Sequence, residues 1–186
     1  MLSVFRFHAA AMPAPSRCRI VPVRVVPVRV VRVRTAADLA AVAALFRAYA
    51  ASLDVDLGYQ DFAGELAALP GRYAAPQGAL LLARGPAGAA LGCVGLRAIA
   101  PAGTCEMKRL YVAPAGRGTG LGRRLVLAAL RRAVRLGYRE MRLDTLASMT
   151  AAQALYRQLG FAPIAPYYDT PVAGTVFLHR ALRADG

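Results

Sequence analysis

The stretch from Glu106 to Gly122, EMKRLYVAPAGRGTGLG, decides the fold class of this chain. It is predicted to form a strand, a glycine-rich loop and the beginning of a helix in succession. Glycines let the loop backbone turn with its N–H groups pointing inward, and the N-terminus of a helix adds about half a positive charge. Together they predict a cradle for an anion such as a diphosphate.

Two common nucleotide-binding loops do not fit this cradle. A Walker loop ends in Gly-Lys-Ser or Gly-Lys-Thr, whereas Gly122 is followed by Arg123 and Arg124. A dinucleotide fingerprint has the spacing G-x-G-x-x-G, whereas the glycines here lie at 118, 120 and 122. The sequence therefore excludes both classes at this loop.

Helices and strands are predicted on both sides of the loop from apolar periodicity, capping residues and glycine or proline stops. Thr35 and Asp38 mark the start of one helix, and Ser148 is predicted to cap another. The order β-α-α-β-β-β-α-β-α-β-β indicates a mixed α/β sheet. Strands are predicted at 30–34, 79–84, 91–100, 104–112, 138–144, 161–164 and 175–182, and helices at about 35–52, 60–69, 121–136 and 148–159.

The length of 186 residues favours one domain, and a composition of 57% hydrophobic and 18% charged residues excludes an intrinsically disordered chain. The formal net charge is +14, and residues 1–34 carry seven arginines and no acidic residue. Residues 21–30 repeat Val-Pro-Val-Arg-Val, with prolines that cannot lie in a central strand. We therefore expect residues 1–29 to be a basic, low-complexity, disordered extension and residues 30–183 to be the folded domain.

Charge alone does not select a partner, because a basic surface attracts nucleic acid, anionic lipid and small anions alike. Cys18, Cys93 and Cys105 are too few and too widely spaced for a disulfide framework or a zinc site. This favours a reducing, cytoplasmic compartment and no metal. Because no uncharged apolar run approaches the roughly 18 residues that span a bilayer, no membrane association is expected.

Two segments resemble signatures of the GNAT superfamily of N-acetyltransferases. RGTGLG at 117–122 matches its pyrophosphate loop, Q/R-x-x-G-x-G/A. AQALYRQLGF at 152–161 is similar to its second signature, a helix with Ala and Leu-Tyr followed by Gly-Phe. Many members have Asn three residues before that Ala, where this chain has Met149. The two signatures and the order of the elements cover roughly residues 30–182.

The resemblance implies a single GNAT-like α/β domain, with a mixed, mostly antiparallel central sheet of six to seven strands and helices on both faces. It also implies acetyl-CoA as cosubstrate, bound where two strands splay apart. The backbone of Leu110, Tyr111 and Val112 would pair with the pantetheine arm. The diphosphate would be held by Arg117, Gly118, Thr119, Gly120, Leu121, Gly122 and Arg123. The alternative interpretation of this loop is that its glycines only form a flexible connection.

Glu106 and Tyr156 are the candidate catalytic residues, because acetyl transfer from a thioester needs a neutral amine and a proton for the leaving thiolate. Glu106 lies eleven positions before Arg117, a spacing that resembles the subgroup in which a strand glutamate is the general base, directly or through water. Its alternative is an ion pair with Lys108 or a neighbouring arginine. Tyr156 matches the family tyrosine that donates to the CoA sulfur, and its alternative is a core tyrosine.

Arg109, Tyr167 and Tyr168 are weaker candidates for the acceptor site, with solvated surface as the alternative. We predict an acetyl-CoA-dependent N-acetyltransferase that acts by direct transfer, in a ternary complex, on a primary amine of a small molecule or amino-acid-like acceptor. The alternatives are a non-catalytic CoA-binding sensor and a protein N-terminal or lysine acetyltransferase. A specific nucleic-acid partner is supported by charge alone and is not expected. A homodimer is the commonest default for the assembly.

Overall fold

The computed structural model describes residues 28–182. Its strands are β1 (Arg29–Arg32), β2 (Ala79–Arg84), β3 (Ala90–Ile99), β4 (Thr104–Val112), β5 (Glu140–Thr145), β6 (Ala162–Pro163) and β7 (Val176–Ala181). They form one seven-stranded sheet in the order β1-β2-β3-β4-β5-β7-β6. Only the β4–β5 pair of this sheet is parallel, and the other neighbours are antiparallel. The predicted mixed, mostly antiparallel sheet is confirmed.

The α-helices of the described residues are α1 (Ala36–Ala51), α2 (Phe62–Ala67), α3 (Leu121–Arg135) and α4 (Thr150–Gln158). None of them is long and apolar enough to cross a membrane. Strand β1 begins at Arg29, one residue before the predicted start of the domain. Residues 1–27 of the predicted extension, with Cys18 and most of the repeat, lie outside the described residues.

The two faces of the sheet bury separate hydrophobic cores, so helices cover both faces as predicted. On one face, α1 packs against β2 and β3 through Val42, Leu45 and Phe46. On the other face, α3 packs against β2, β3 and β4. Each fully buried Leu, Val or Phe stabilises the fold by roughly 1.5–3 kcal/mol relative to an exposed one. The buried stripe of α3 includes the predicted Leu121, Leu125, Ala129 and Ala133, together with Val126 and Leu130.

The two cysteines of the described residues lie in these cores. Cys93 on β3 belongs to the α1 side and Cys105 on β4 to the α3 side, and both are free and fully buried. Burial raises the pKa of the Cys105 thiol to about 12, and that of Cys93 also lies above its ordinary value. Both cysteines are therefore core residues.

The starts of α1 and α4 are stabilised in different ways. Thr35 caps α1 as predicted, because its hydroxyl accepts a 3.1 Å hydrogen bond from the Asp38 amide. The predicted cap of α4 is wrong: the helix begins at Thr150, and Ser148 lies in the preceding turn. The side chain of Gln153 holds that turn instead, by donating to the carbonyls of 146 and 147 at 3.0 and 3.1 Å.

Strand β4 contains a β-bulge that the sequence did not predict. Lys108 pairs with Gly95 and Tyr111 pairs with Cys93, so Arg109 and Leu110 together oppose a single residue of β3. Arg109 has φ 57°, a value in the left-handed region that is unusual for a residue with a side chain. The extra residue shifts the alternation of side chains along β4. As a result, Lys108 and Arg109 both lie on the α1 side of the sheet.

Strands β4 and β5 separate halfway along their length. Their pairing covers Thr104–Glu106 against Glu140–Arg142. Beyond this point β4 remains paired with β3 up to Val112, whereas β5 remains paired with β7 up to Thr145. The edge of β4 that faces β5 is therefore left without a strand partner after Glu106. This splay opens a cleft in the middle of the sheet.

Candidate active site

The cleft between β4 and β5 is closed on its sides by helices and by the segment before α2. Residues 107–110 of β4 and 144–146 at the end of β5 form its walls. Met149, directly before α4, and Tyr156 of α4 line it from one side, and Tyr49 of α1 lines it from the other. Met149, at the position where the resemblance leads us to expect Asn, thus lines the cleft with an apolar side chain. The cleft is narrow, and polar and apolar side chains both contribute substantially to its lining.

The glycine-rich loop lies between the end of β4 and the start of α3. The backbone amides from Gly118 to Arg123 have no hydrogen-bond acceptor within residues 28–182. Gly118 and Gly120 both have φ +74°, which turns the chain so that successive amides are exposed. Thr119 stabilises the turn by donating from its hydroxyl to the Gly116 carbonyl at 2.7 Å. A run of free amides at a helix N-terminus fits a diphosphate.

The other predicted cofactor residues surround this loop in different ways. Leu110 lines the cleft, and Tyr111 is buried in the α1-side core, so only the backbone of Tyr111 is available to a ligand. The Val112 carbonyl accepts a 3.2 Å hydrogen bond from Nε of Arg117. Arg123 is exposed on the first turn of α3. The structure thus brings the predicted loop and strand residues to one end of the cleft.

Tyr156 is buried on α4 and lines the cleft. Its ring packs edge-on against Phe161, with ring centroids 5.8 Å apart. Burial raises the pKa of the Tyr156 phenol above its ordinary value, and the nearby Tyr49 and Asp144 raise it further. The phenol is therefore protonated at neutral pH and is able to donate. Core packing and exposure to the cleft coexist in this side chain.

Glu106 is buried on β4, with its side chain 2% exposed. Its Oε2 accepts a 2.7 Å hydrogen bond from Nε of Arg97, which lies directly opposite on β3. Its Oε1 accepts from the Tyr167 hydroxyl at 2.9 Å and lies 3.9 Å from Nζ of Lys108. The ion pair foreseen as an alternative is thus present, with Arg97 as its closer partner. Glu106 does not itself line the cleft and lies directly behind Lys108.

Lys108 and Asp144 connect the two splayed strands. Nζ of Lys108 lies 2.7 Å from Oδ1 of Asp144, and their side chains are only 6% and 12% exposed. Both residues line the cleft beside Tyr156. Sequence reasoning missed them as functional residues, although Lys108 is the only lysine among 24 lysines and arginines. Asp144 carried a weaker signal, as the acidic last residue of a predicted strand.

Tyr167 and Tyr168 lie in the segment between β6 and β7, close to these charges. Tyr168 is stacked near Lys108, with Nζ 5.8 Å from the ring centroid, and Tyr167 contacts Glu106. The Tyr168 hydroxyl is buried without a hydrogen-bond partner in the part of the chain that the structure describes. Burial, followed by the charge of Asp144, raises its pKa above the ordinary value. Both tyrosines therefore lie beside the charged side chains of Lys108 and Glu106, and their role in acceptor binding stays a prediction.

Arg109 is engaged within the protein. Its Nε and Nη2 donate to the two carboxylate oxygens of Glu65 on α2, at 3.0 and 2.9 Å, and its guanidinium stacks on Phe62. The Tyr73 hydroxyl also donates to Glu65 at 2.9 Å. Burial alone would raise the pKa of Glu65, but the Arg109 contacts lower it below its ordinary value. A carboxylate of an acceptor would have to compete with Glu65 for Arg109.

The chain is similar to known proteins in both sequence and structure. Residues 42–161 match the acetyltransferase (GNAT) family. An uncharacterized N-acetyltransferase of Schizosaccharomyces pombe is 40% identical over 134 residues, which covers 72% of this chain and 82% of that protein. The structure of a GCN5-related N-acetyltransferase from Kribbella flavida has 25% identity and a TM-score of 0.64, covering 83% of this chain and 98% of that one.

A further structure, from Salmonella typhimurium, was determined with its cofactor acetyl-CoA. It has 22% identity and a TM-score of 0.62, covering 84% of this chain and 94% of that one, and at this identity it shows the common fold alone. Matches of this extent decide the class of the protein, which is an acyltransferase. More narrowly, the chain belongs to the acetyltransferase (GNAT) family, whose members use acetyl-CoA, and its relatives are named N-acetyltransferases.

Proposed function

We propose that this protein transfers the acetyl group of acetyl-CoA directly to the primary amine of a small-molecule or amino-acid-like acceptor, within a ternary complex. The observation that carries the proposal is the splay of β4 from β5 directly beside the run of free amides from Gly118 to Arg123. Residues 30–183 would be the catalytic domain, acting in the cytoplasm. Residues 1–29 would be an extension that the reaction does not need.

Acetyl-CoA would bind along the free edge of β4. The backbone of Leu110, Tyr111 and Val112 would pair with the pantetheine arm as an additional strand does. The amides of Gly118, Thr119, Gly120, Leu121, Gly122 and Arg123 would hold the diphosphate, with the guanidinium groups of Arg117 and Arg123 adding positive charge. This arrangement would direct the thioester into the cleft, toward Tyr156.

The reaction requires two proton movements and no acyl-enzyme. The neutral amine attacks the thioester carbon, so that a C–N bond forms as the C–S bond breaks. Tyr156 donates its phenolic proton to the departing thiolate and is reprotonated from solvent. Glu106 accepts the proton that the amine nitrogen loses, through water, because it lies behind the wall of the cleft.

The acceptor would enter through a second, adjoining depression of about 180 Å³. Tyr168, Lys108 and Arg97 line it on the sheet side, and the segment around Tyr59 and Arg72 closes it. Its size suits a small amine better than a folded protein surface. Because Arg109 is paired with Glu65, the exposed Arg72 is the better cation for an acceptor carboxylate.

A screen of primary amines with detection of CoA thiol tests the function. The full chain is incubated with acetyl-CoA and, separately, with proteinogenic amino acids, simple alkylamines and a short peptide. We expect thiol release that depends on both substrates, with higher kcat/KM for a small amine than for the peptide. In the absence of an acceptor, the intact mass of the protein should not change.

Three results would contradict the proposal in distinct ways. Binding of acetyl-CoA without thiol release for any amine would indicate a sensor. A preference for the peptide would indicate a protein acetyltransferase. If the protein gains the mass of one acetyl group with acetyl-CoA alone, and an added amine then removes that group, the reaction proceeds through an acyl-enzyme and not by direct transfer.

A further inference from the structure

The single lysine of the chain lies in the candidate active site. The sequence has 24 lysines and arginines, and every one except Lys108 is arginine. Arginine is permanently charged and forked, whereas lysine carries a compact charge on a flexible stem. A lysine that occurs once, 6% exposed and facing the cleft, therefore marks a position where the compact ammonium is required.

Lys108 belongs to a cluster of four buried charges, formed by Arg97, Glu106, Lys108 and Asp144. Arg97 pairs with Glu106 at 2.7 Å, Lys108 with Asp144 at 2.7 Å, and Lys108 lies 3.9 Å from Glu106. Two positive and two negative charges leave this cluster neutral. Because the site is largely shielded from water, a fifth charge that enters it interacts strongly with all four.

The surrounding elements add little further charge near Lys108. Arg109 and Glu65 form a second neutral pair beside it. Arg142, opposite Glu106 on β5, is paired with Glu140, which offsets its charge. Arg72 and Asp169 are exposed at the rim of the acceptor depression and have opposite signs. The remaining titratable groups that border the two depressions are tyrosines, namely Tyr49 on α1, Tyr59 before α2, Tyr156 on α4 and Tyr168 before β7. Tyr167 lines neither depression and contacts Glu106.

We propose that Lys108 is a positioning residue whose ammonium keeps the acceptor amine neutral inside the cleft. This inference rests on the proposed function. An alkylammonium acceptor would bring the cluster to a net charge of +1, so the ammonium of Lys108 repels it and favours loss of its proton. The neutral amine keeps the hydrogen-bonding capacity it needs and is the form that attacks the thioester. Lys108 itself forms and breaks no covalent bond.

Lys108→Met removes the positive charge and keeps much of the volume of the side chain. The cluster then has a net charge of −1 and stabilises a protonated acceptor. We measure kcat against pH at saturating acetyl-CoA and amine. The acid limb, where kcat falls as the pH decreases, should shift to higher pH by about one unit or more in the variant. At pH values on the acid limb, kcat of the variant should be about tenfold below that of wild type, and at high pH the two should approach each other.

Two further variants separate charge from structure. Lys108→Arg keeps the charge and should leave the acid limb in place, whatever it does to the maximal kcat. The double variant Lys108→Met with Asp144→Asn restores neutrality, replaces the whole ion pair, and should return the limb to its wild-type position. Arg84→Met is the control. It breaks the 2.6 Å ion pair between Arg84 and Asp38, which does not line the cleft.

The experiment distinguishes failure of this inference from failure of the proposed function. Two outcomes would overturn the role of Lys108 and leave the acetyltransferase function intact. Either Lys108→Met is active and its acid limb does not move, or the limb moves equally in Lys108→Arg. Absence of thiol release by the wild-type protein with every amine would overturn both. If Lys108→Met does not fold, Lys108→Gln takes its place, because it removes the same positive charge and is expected to move the acid limb in the same direction.

Discussion

Tyr156 shows how one side chain serves the core and the cleft together. Its ring belongs to the α3-side core and contacts Phe161 edge-on, while the residue also lines the splay between β4 and β5. Because burial holds the pKa of the phenol above its ordinary value, the phenol stays protonated and can offer its hydrogen to the departing sulfur. Packing and proton donation are therefore separable by removing the hydroxyl alone.

Tyr156→Phe should lower kcat by about 10²- to 10⁴-fold and leave the KM for acetyl-CoA almost unchanged. The ring and its contact with Phe161 remain, so thermal unfolding should shift little. Steady-state kinetics and a melting curve on the same preparation check both expectations. A variant with near-normal kcat would show that the thiolate leaves without this proton.

Glu106→Gln should lower kcat most at low pH, where the free amine is mostly protonated, and less as the pH rises. The substitution also removes a negative charge, which favours the neutral amine by about one pH unit. A general base contributes about 10²- to 10⁴-fold, so the net effect at low pH is still a loss. The measurement is kcat from below to above the pKa of the free acceptor.

Glu140→Gln is a matched control for Glu106→Gln. Glu140 pairs with Arg142 at 2.9 Å on the neighbouring strand β5, outside the residues that line the cleft. It should reduce stability slightly and leave the pH profile unchanged. A uniform loss for Glu106→Gln at every pH would indicate that Glu106 holds Arg97 and Tyr167 in place and does not act as a base.

At the scale of elements, the loop before α3 and the bulge in β4 carry the site. The loop presents backbone amides without an acceptor among the described residues, so the proposed binding of the diphosphate would depend on φ and ψ more than on side-chain identity. The bulge in β4 contributes through side chains. It holds Arg109 at a positive φ and directs two successive side chains to the same side of the sheet. The bidentate pair with Glu65 on α2 offsets the cost of that conformation, which is of the order of 1–3 kcal/mol.

Gly120→Ala should raise the KM for acetyl-CoA about tenfold or more and change the KM for the acceptor much less. Gly120 has φ +74°, so a methyl group strains the turn and rotates the amides away from the diphosphate. Gly137→Ala is the control, because Gly137 at the other end of α3 has φ +82° and equally open surroundings. Equal KM values in the two variants would contradict the anion cradle.

At the scale of the whole molecule, charge is the dominant property. The formal net charge is +14, and several carboxylates of the described residues are held in ion pairs with arginines. Arg84 lowers the pKa of Asp38 to about 2, and the pKa values of Glu65 and Glu140 also lie below their ordinary range. Protonation of these groups removes the pairs and leaves the arginines to repel one another.

The free energy of unfolding should therefore decrease as the pH falls from about 4 toward 2. A carboxyl group whose pKa is lower in the folded than in the unfolded state stabilises the fold above its unfolded pKa. That contribution is lost as the pH falls through the folded pKa, which for Asp38 is about 2. Urea unfolding midpoints at neutral and acidic pH measure the effect.

Asp38→Asn provides the comparison for this prediction. The variant lacks the titrating group, so it should be less stable than wild type at pH 7 and lose less stability in acid. Parallel curves for the two proteins would show that Asp38 does not contribute to the acid transition. The pair between Asp38 and Arg84 is partly open to solvent, so water screens it and the difference should be small.

The order of the elements, the buried stripe of α3, the Thr35 cap and the glycine-rich loop were all determined by the sequence alone. These features depend on periodicity and on interactions within a few residues, and both can be recognised without a tertiary structure. The family resemblance extended this to a splayed sheet. It also identified Glu106 and Tyr156, whose catalytic roles stay predictions.

Only the tertiary structure decided how the charged residues are paired. Lys108 and Asp144 are 36 positions apart in the chain, and Arg109 and Glu65 are 44 apart. Such contacts depend on where two strands separate and on which side of the sheet each side chain lies. The bulge at Arg109 shifts that alternation by one residue, and a left-handed arginine is stable only because distant contacts offset its strain. Ser148 failed as a cap for the same kind of reason, since a turn held by Gln153 determines where α4 begins.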